Sequence, residues 1–499
     1  MIAVPRAVAA ALLACACLAA FATRSGAATK TAANVTARTS TTTTATSSAP
    51  ASRFYISGGG FGHGVGMSQY GAAGFALHGY TYERILAHYY SGTTIGKLPP
   101  NRTVTVLLHV GAAIFRGASR IVGSTKKLNP ALNYGVFVHG SKLRVMVGHR
   151  TVGIFPAPLI VHDKGGLHGT GAPLTLNYRA AYDGVFIFHP DGSHGVMTVN
   201  SVGVDEYVRG VVTAEMPSGW PTQALEAQAV AARTYAIAAP PANADFDLYD
   251  NTRSQMYLGV KSETATGNAA VRATSGKVVE YAGRPAVTYY FSSSGGYTES
   301  VQNVWYGLTP RPWLRGVPDP YDDSYGNPYY RWTRSYTLAA ASHKVGRLYA
   351  GTFMGIKVTQ MGVSPRVVRA VVVGTHGAGR ATGVELQRLF GTLSTDMSFT
   401  TLTEAGERTR TVVKETKGTA KRPASEVTRK VTIRLAVQGT VYPSERGQTV
   451  IAQRWEGRSW RSVARSRLTP RGSYAILVKA PGTYRISYQL LDGPNFRVP

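Results

Sequence analysis

Two hydrophobic rhythms alternate along the chain. From 101 to about 200 the apolar residues come in short runs, such as VTVLLHV, LRVMVG (143–148) and GVMTVN (195–200), broken by Gly, Asn and Asp. That pattern predicts strands joined by turns. Residues 222–238 instead form a continuous stretch of small and apolar positions behind Pro221, and the spacing predicts a helix that Pro221 opens. A shorter helix is expected over 79–89, around TYERILAHYY. Beyond Pro240-Pro241 the pattern returns to strand and loop. Residues 431–499 alternate once more in VTIRLAV, TVIAQRW, SYAILVK and YRISYQL, which predicts a small β-sandwich. The expected class is α+β, with a β-rich main domain carrying a few helices and a small all-β sandwich-like domain after it.

Polar stretches divide the 499 residues further. Arg6, the apolar run Ala7–Ala22 and Ser25-Gly26-Ala27 read as a signal peptide over 1–27, too short an apolar run for the ~20 residues of a spanning helix. Leu12-Leu13-Ala14-Cys15 also fits a lipoprotein cleavage site, which would leave Cys15 lipid-linked. Residues 28–52, nearly all Thr, Ala and Ser, are expected to be a disordered tether. The main domain is then 53–402, a charged linker 403–430, and the sandwich 431–499. Both cysteines, Cys15 and Cys17, fall in the leader, so the mature chain has no disulfide and no thiolate metal site.

The net charge of +28 draws such a chain to polyanions. Its basic residues are scattered, with no dense run interleaved with aromatics. This argues against nucleic acid and for an anionic cell envelope. Arg454, Arg458, Trp460, Arg461, Arg465 and Arg467 make the C-terminal segment basic, which suits anionic wall polymers or a plain folding module. The histidines show no metal-binding spacing, and no metal or cofactor is expected.

Three segments carry candidate chemistry. In AEMPSGWPTQALEAQAVAARTY (214–235), Glu215 stands beside Met216, Pro217 and Trp220, whose burial would raise its pKa and suit it to acid/base work. The plain alternative is an acidic residue stabilised near a helix N-terminus. Arg233 is either a carboxylate-binding cation or half of a salt bridge. In 57–92, the glycines at 58, 59, 60, 62, 64 and 66 let a backbone approach a ligand, with His63 and Gln69 as polar candidates. The phosphate-loop and dinucleotide spacings do not match. In 286–305, a strand runs into Ser292-Ser293-Ser294-Gly295-Gly296, without the elbow that would mark a nucleophilic serine. Trp305 and Trp313 offer flat faces for sugars or simply fill a core.

Together these pieces resemble the stage II sporulation protein D / amidase-enhancer family. The resemblance rests on EYVRGVVTAEMPSGWPTQALEAQAVAARTYA, SQMYLGV (254–260), AVTYYFSSSGGYTESVQNVW, PWLRGVPDP (312–320) and GFGHGVGMSQYGAAGFALHGYTYERILAHYYSG. It implies a peptidoglycan lytic transglycosylase acting on glycan strands, or a non-catalytic amidase enhancer and wall-binding regulator. It implies that Glu215 is the catalytic acid. Arg233, His63, Gln69, Gln255, Ser293 and Ser294 follow as substrate-binding candidates, and a cell-wall amidase as a partner. Some relatives bind zinc through a cysteine, for which the mature chain offers none. In the family the GHGVGMSQ segment follows the rest of the domain, whereas here it comes first, and VELQRLFGTLSTDMSF (384–399) closes the region instead. Circular permutation is therefore expected, with Phe54 and Phe399 as spatial neighbours. His63 and Glu215 are expected to share one cleft.

Overall fold

The computed structural model describes residues 39–165, 171–192, 195–419, 422–444 and 447–499; the leader with Cys15 and Cys17 and the tether up to 38 lie outside them. Among the described residues no helix is long and apolar enough to cross a membrane. The chain forms two compact units. The larger spans 47–407 and 435–499, and the described part of the smaller comprises 39–46, 408–419 and 422–434.

The larger unit is centred on helices. α1 (Gln69–Leu77), α2 (Tyr82–Tyr89), α3 (Val204–Glu215), α4 (Thr222–Ala238) and α5 (Ala265–Ala273) surround one another, with α4 in the middle and buried over most of its length. The helices expected over 222–238 and 79–89 are both present. α3 was not anticipated, because four valines and Gly210 depress its intrinsic helix propensity. Tertiary burial overrides that preference: Val204, Tyr207, Val208, Val211 and Val212 recur at helical spacing and are all buried. α1 was missed for a related reason. Gly71 and Gly74 weaken it locally, yet a Cβ at either would stand within 2.4 Å of Asp319 or Tyr321, so close packing requires glycine there.

Two six-stranded sheets back these helices. Thr103–Gly111 and Val196–Gly203 pair antiparallel at the middle of one, and Lys142–Val147 lies within the other. Val104, Val106, Phe115, Leu143, Phe186 and Phe188 from these sheets join Tyr207, Val211 and Leu225 in a single hydrophobic core.

The C-terminal sandwich is present but is not self-contained. Strand Ala51–Gly58 pairs with Met397–Thr419 in the register Ile56↔Phe399, and the same sheet continues through Arg422–Tyr442 to Ser473–Val478. A second sheet built on Thr449–Trp455, Trp460–Arg467 and Gly482–Tyr488 packs on it, burying Tyr55 and Leu402 with Val437, Tyr484 and Ile486. The opposite face of the same strand buries Phe54 and Ile56 with Phe353, Phe390 and Phe399. The rings of Phe54 and Phe399 stand 6.1 Å apart, so these two residues are neighbours as expected. The described residues of segment 403–430, expected to be a linker, lie in the long strands Met397–Thr419 and Arg422–Tyr442, and part of the expected tether forms strand Thr39–Ser47. Composition misleads here because threonine and valine, polar context notwithstanding, favour extended backbone once a partner strand is supplied.

Candidate active site

Glu215 is the last residue of α3, with the Met216 N–H closing the helix onto the Val212 carbonyl at 2.9 Å. The carboxyl therefore stands at the C-terminal, negative end of the helix dipole, not at an N-terminus. That field disfavours the carboxylate. Burial works in the same direction and raises the pKa. Hydrogen bonds from the Met256 N–H, Tyr290 and Gln69 partly oppose it. The Met256 N–H reaches Oε1 at 2.6 Å. Gln69, at the start of α1, also donates through Nε2 to the Glu215 carbonyl at 3.3 Å.

The carboxyl faces a cavity of about 330 Å³ lined by Gly62, His63, Glu215, Tyr235, Thr252, Arg253, Ser254, Tyr289, Tyr290 and Trp305. His63 and Glu215 thus border one cleft, although about 150 residues separate them. The glycine-rich loop is stitched into place by backbone bonds. Phe61 and Ser293 exchange both hydrogen bonds, at 2.8 and 3.0 Å, and Met67 pairs with Tyr290 in a short parallel ladder. Gly64 and Gly66 both have positive φ, and a Cβ would lie 2.4 Å from Arg366 Nε at the first and 2.1 Å from the Tyr289 carbonyl oxygen at the second. Only glycine lets the loop run this close.

His63 accepts from the Val65 N–H at Nδ1 (3.1 Å), and its ring lies against Trp305 and Phe291. Burial lowers its pKa to about 4, with the buried Arg366 guanidinium adding to the shift and a hydrogen bond to the Tyr290 backbone opposing it. At neutral pH it is an uncharged imidazole whose remaining N–H is engaged by the Tyr290 backbone. Tyr289 and Trp305 meet at 4.7 Å and give the cavity an aromatic wall. Arg253 is exposed and stacks over Tyr249, 3.6 Å from the ring centroid. It supplies a cation at the cavity.

Other sequence candidates are placed elsewhere. Gln255 is buried behind the cavity, donating to the Tyr207 hydroxyl at 3.0 Å and accepting from Tyr290 at 2.7 Å. It positions Tyr290 and does not border the cavity. Ser293 and Ser294 are buried around Asp322. That carboxylate accepts from the Ser68 and Ser293 hydroxyls, the Ser294 and Gly295 N–H groups and the Asn327 amide, at 2.6 to 3.1 Å. Their polar groups are spent on holding the loop, not on a ligand. Arg233 is fully buried and pairs with Asp205 at 2.6 Å, donating also to the Lys277 and Val271 carbonyls. Asp205 lies at the other end of α3 from Glu215, about 15 Å away at the helical rise of ~1.5 Å per residue. A larger cleft of about 580 Å³ opens there, but its buried cation is already neutralised.

Tyr235, Tyr290, Arg253 and the Met256 N–H were missed by sequence reading. Tyr235 was within reach of it. Two residues beyond Arg233, it turns about 200° round α4 and so faces away from the arginine's partner. Among the described residues no cluster of His, Cys, Asp and Glu could hold a metal.

Residues 192–281, which include α3, α4 and Glu215, match the family model described as Stage II sporulation protein. That match supports, over 192–281, the resemblance to the stage II sporulation protein D / amidase-enhancer family that the motifs carry. It is 35% identical over 176 residues to an uncharacterised protein of Brachyspira hyodysenteriae, covering 35% of this chain and 47% of that one. It is 32% identical over 200 residues to the stage II sporulation protein D of Bacillus subtilis, covering 37% and 57%. The amidase enhancer of Bacillus subtilis is 42% identical over 103 residues, 21% of this chain and 14% of the relative. The chain thus spans about half the length of the first two relatives. No solved structure matches it.

Proposed function

We propose that this chain is a secreted, cell-wall-associated lytic transglycosylase that cleaves peptidoglycan glycan strands with Glu215 as its single acid/base. The observation that carries this reading is a lone carboxyl with a raised pKa in a cavity walled by aromatic rings. Glu215 is the one carboxyl among the lining residues. Hydrolysis by paired carboxylates requires a second one to activate water or attack the sugar. A muramyl sugar carries its own nucleophile. Protonated Glu215 gives its proton to the departing glycosidic oxygen as the C1–O bond breaks. The C6 hydroxyl of the same sugar bonds to C1, and its proton returns to the Glu215 carboxylate. The products are a free 4-hydroxyl and a 1,6-anhydro end, no water is consumed, and the acid is regenerated.

Neutral His63 and Tyr290 wall the cavity without adding charge. Arg253 is suited to the carboxylate of a lactyl group. The basic chain as a whole favours association with anionic wall polymers. The reversed order of the glycine-rich segment is read as a circular permutation joined near Phe54 and Phe399. The test is to incubate the purified protein with peptide-free glycan strands and look for 1,6-anhydro-muramyl products. Wild type is expected to form them and Glu215→Gln is not.

The likeness to an amidase enhancer supports a second reading, a non-catalytic regulator that stimulates a wall amidase. It would prevail if neither protein formed anhydro products while amidase activity rose on adding either.

A further inference from the structure

We propose that the cavity beneath the hairpin Leu174–Leu176/Ala180–Tyr182 is a distal sugar-binding position of the same glycan track, with the Tyr178 ring as its platform. This rests on the glycan-cleaving reading above. The cavity measures about 410 Å³ and is lined by Leu108, His109, Ile114, Asn177, Tyr178 and Tyr182, among others.

The backbone at its rim is an outlier. Asn177 and Tyr178 form the centre of a tight turn, with the Arg179 N–H on the Leu176 carbonyl at 3.0 Å, and both have positive φ, 50° and 57°. Such a turn favours Asn followed by Gly. Asn177 fits, and it is locked by its side chain, which accepts from the Ile114 N–H at 2.8 Å and donates to the Ala112 carbonyl at 3.2 Å. Tyr178 does not fit. A bulky L-residue is disfavoured in this region, and its side chain is 67% exposed, so packing does not compensate. Leu490 shares this conformation in another hairpin but stands wholly in solvent. The outlier at 178 borders a cavity with polar groups, His109 and Arg179, beside an apolar floor of Leu108 and Ile114. An aromatic face beside a few donors is the composition that receives a sugar ring.

The two cavities have a neighbour in common. Asp250 interacts electrostatically with Arg253, which borders the Glu215 cavity, and with His109, which lines this one. Strand Leu248–Tyr249 pairs in parallel with Val106-Leu107, one residue before Leu108. A linear polymer cleaved at Glu215 has further sugars to place, and this is a concave surface with an aromatic platform.

The test measures binding without turnover. Full-length Glu215→Gln is compared with Glu215→Gln carrying Tyr178→Gly or Tyr178→Asn, two residues that accept the left-handed turn, using peptide-free glycan strands several disaccharides long. Calorimetry gives Kd and thermal unfolding gives Tm. Affinity is expected to fall roughly fivefold to tenfold in both variants, with Tm unchanged or raised. Tyr178→Phe should keep the parent affinity, since the ring face makes the contact. Equal affinity in all proteins overturns the distal position and leaves the glycan reading standing. A fall in Tm that tracks the loss of affinity also overturns it, because the turn would then be structural. Failure of every protein to bind glycan overturns both. Tyr178-dependent binding by a wild-type protein that forms no anhydro ends sinks the lytic reading alone.

Discussion

At the first turn of α3, Asp205 meets Arg233 at 2.6 Å; at its last residue, Glu215 forms no ion pair among the described residues. The two ends of one helix treat charge in opposite ways. The N-terminal carboxylate has the helix dipole and a guanidinium in its favour. The C-terminal carboxyl has the dipole against it, is desolvated, and is offered chiefly neutral hydrogen bonds. Both residues lie in the segment that the family model matches, yet one end holds an ion pair and the other a buried carboxyl without one. A motif residue can be held in an ion pair or stand unpaired against a cavity, and its charged partners distinguish the two cases.

The largest expected effect breaks the unpaired end. Glu215→Gln keeps the volume and the Met256 hydrogen bond but removes the transferable proton. Turnover should fall by about 10²–10⁴-fold, as measured by anhydro-product release, with Tm retained. Arg233→Met breaks the paired end. It strands Asp205 and frees two carbonyls, and should cost about 3 kcal/mol in denaturant unfolding. The folded fraction should keep its turnover. If Arg233→Met instead abolished turnover while leaving stability intact, the assignment of Arg233 as structural would fail. A smaller change sharpens the contrast with the serine loop. Asp322→Asn puts an amide N–H₂ among groups that were donating to a carboxylate, and should destabilise by about 2 kcal/mol.

Much of this was legible beforehand because it is local. The helix 222–238 announces itself by Pro221 and an unbroken run, and it is found at those bounds. Glu215 stood out as a carboxyl beside Met216 and Trp220, and His63 was expected beside it only through the resemblance. What was not legible depends on partners far along the chain. The valines of α3 read as strand until the helical stripe from Val204 to Val212 is set against the core. Ser293 looks like a ligand donor until Asp322 folds over it. Residues 403–419 and 422–430 look like a linker by composition, yet they lie in strands, the first of which pairs with Ala51–Gly58 as far as Glu404. Nor does the sequence show that Tyr55 and Phe54, adjacent on one strand, serve two different cores.

The pH dependence separates the two ends most finely. Glu215 has a folded pKa above its unfolded value, so between those values the native state binds more protons than the unfolded one. Its contribution to stability is therefore present below the unfolded pKa and is lost as pH rises through the folded pKa. Asp319 and Glu404, both raised to about 8 by burial, slope the same way, so the wild-type curve alone does not isolate Glu215. The difference between wild type and Glu215→Gln does. That difference should decline with rising pH above the ordinary carboxyl range and then level off. Turnover of the wild type should fall over the same window, because the acid must be protonated to act. His63, with a pKa near 4, should add no inflection near 6.5. A flat difference curve alongside a turnover limb near 6.5 would transfer the acid role from Glu215 to the histidine.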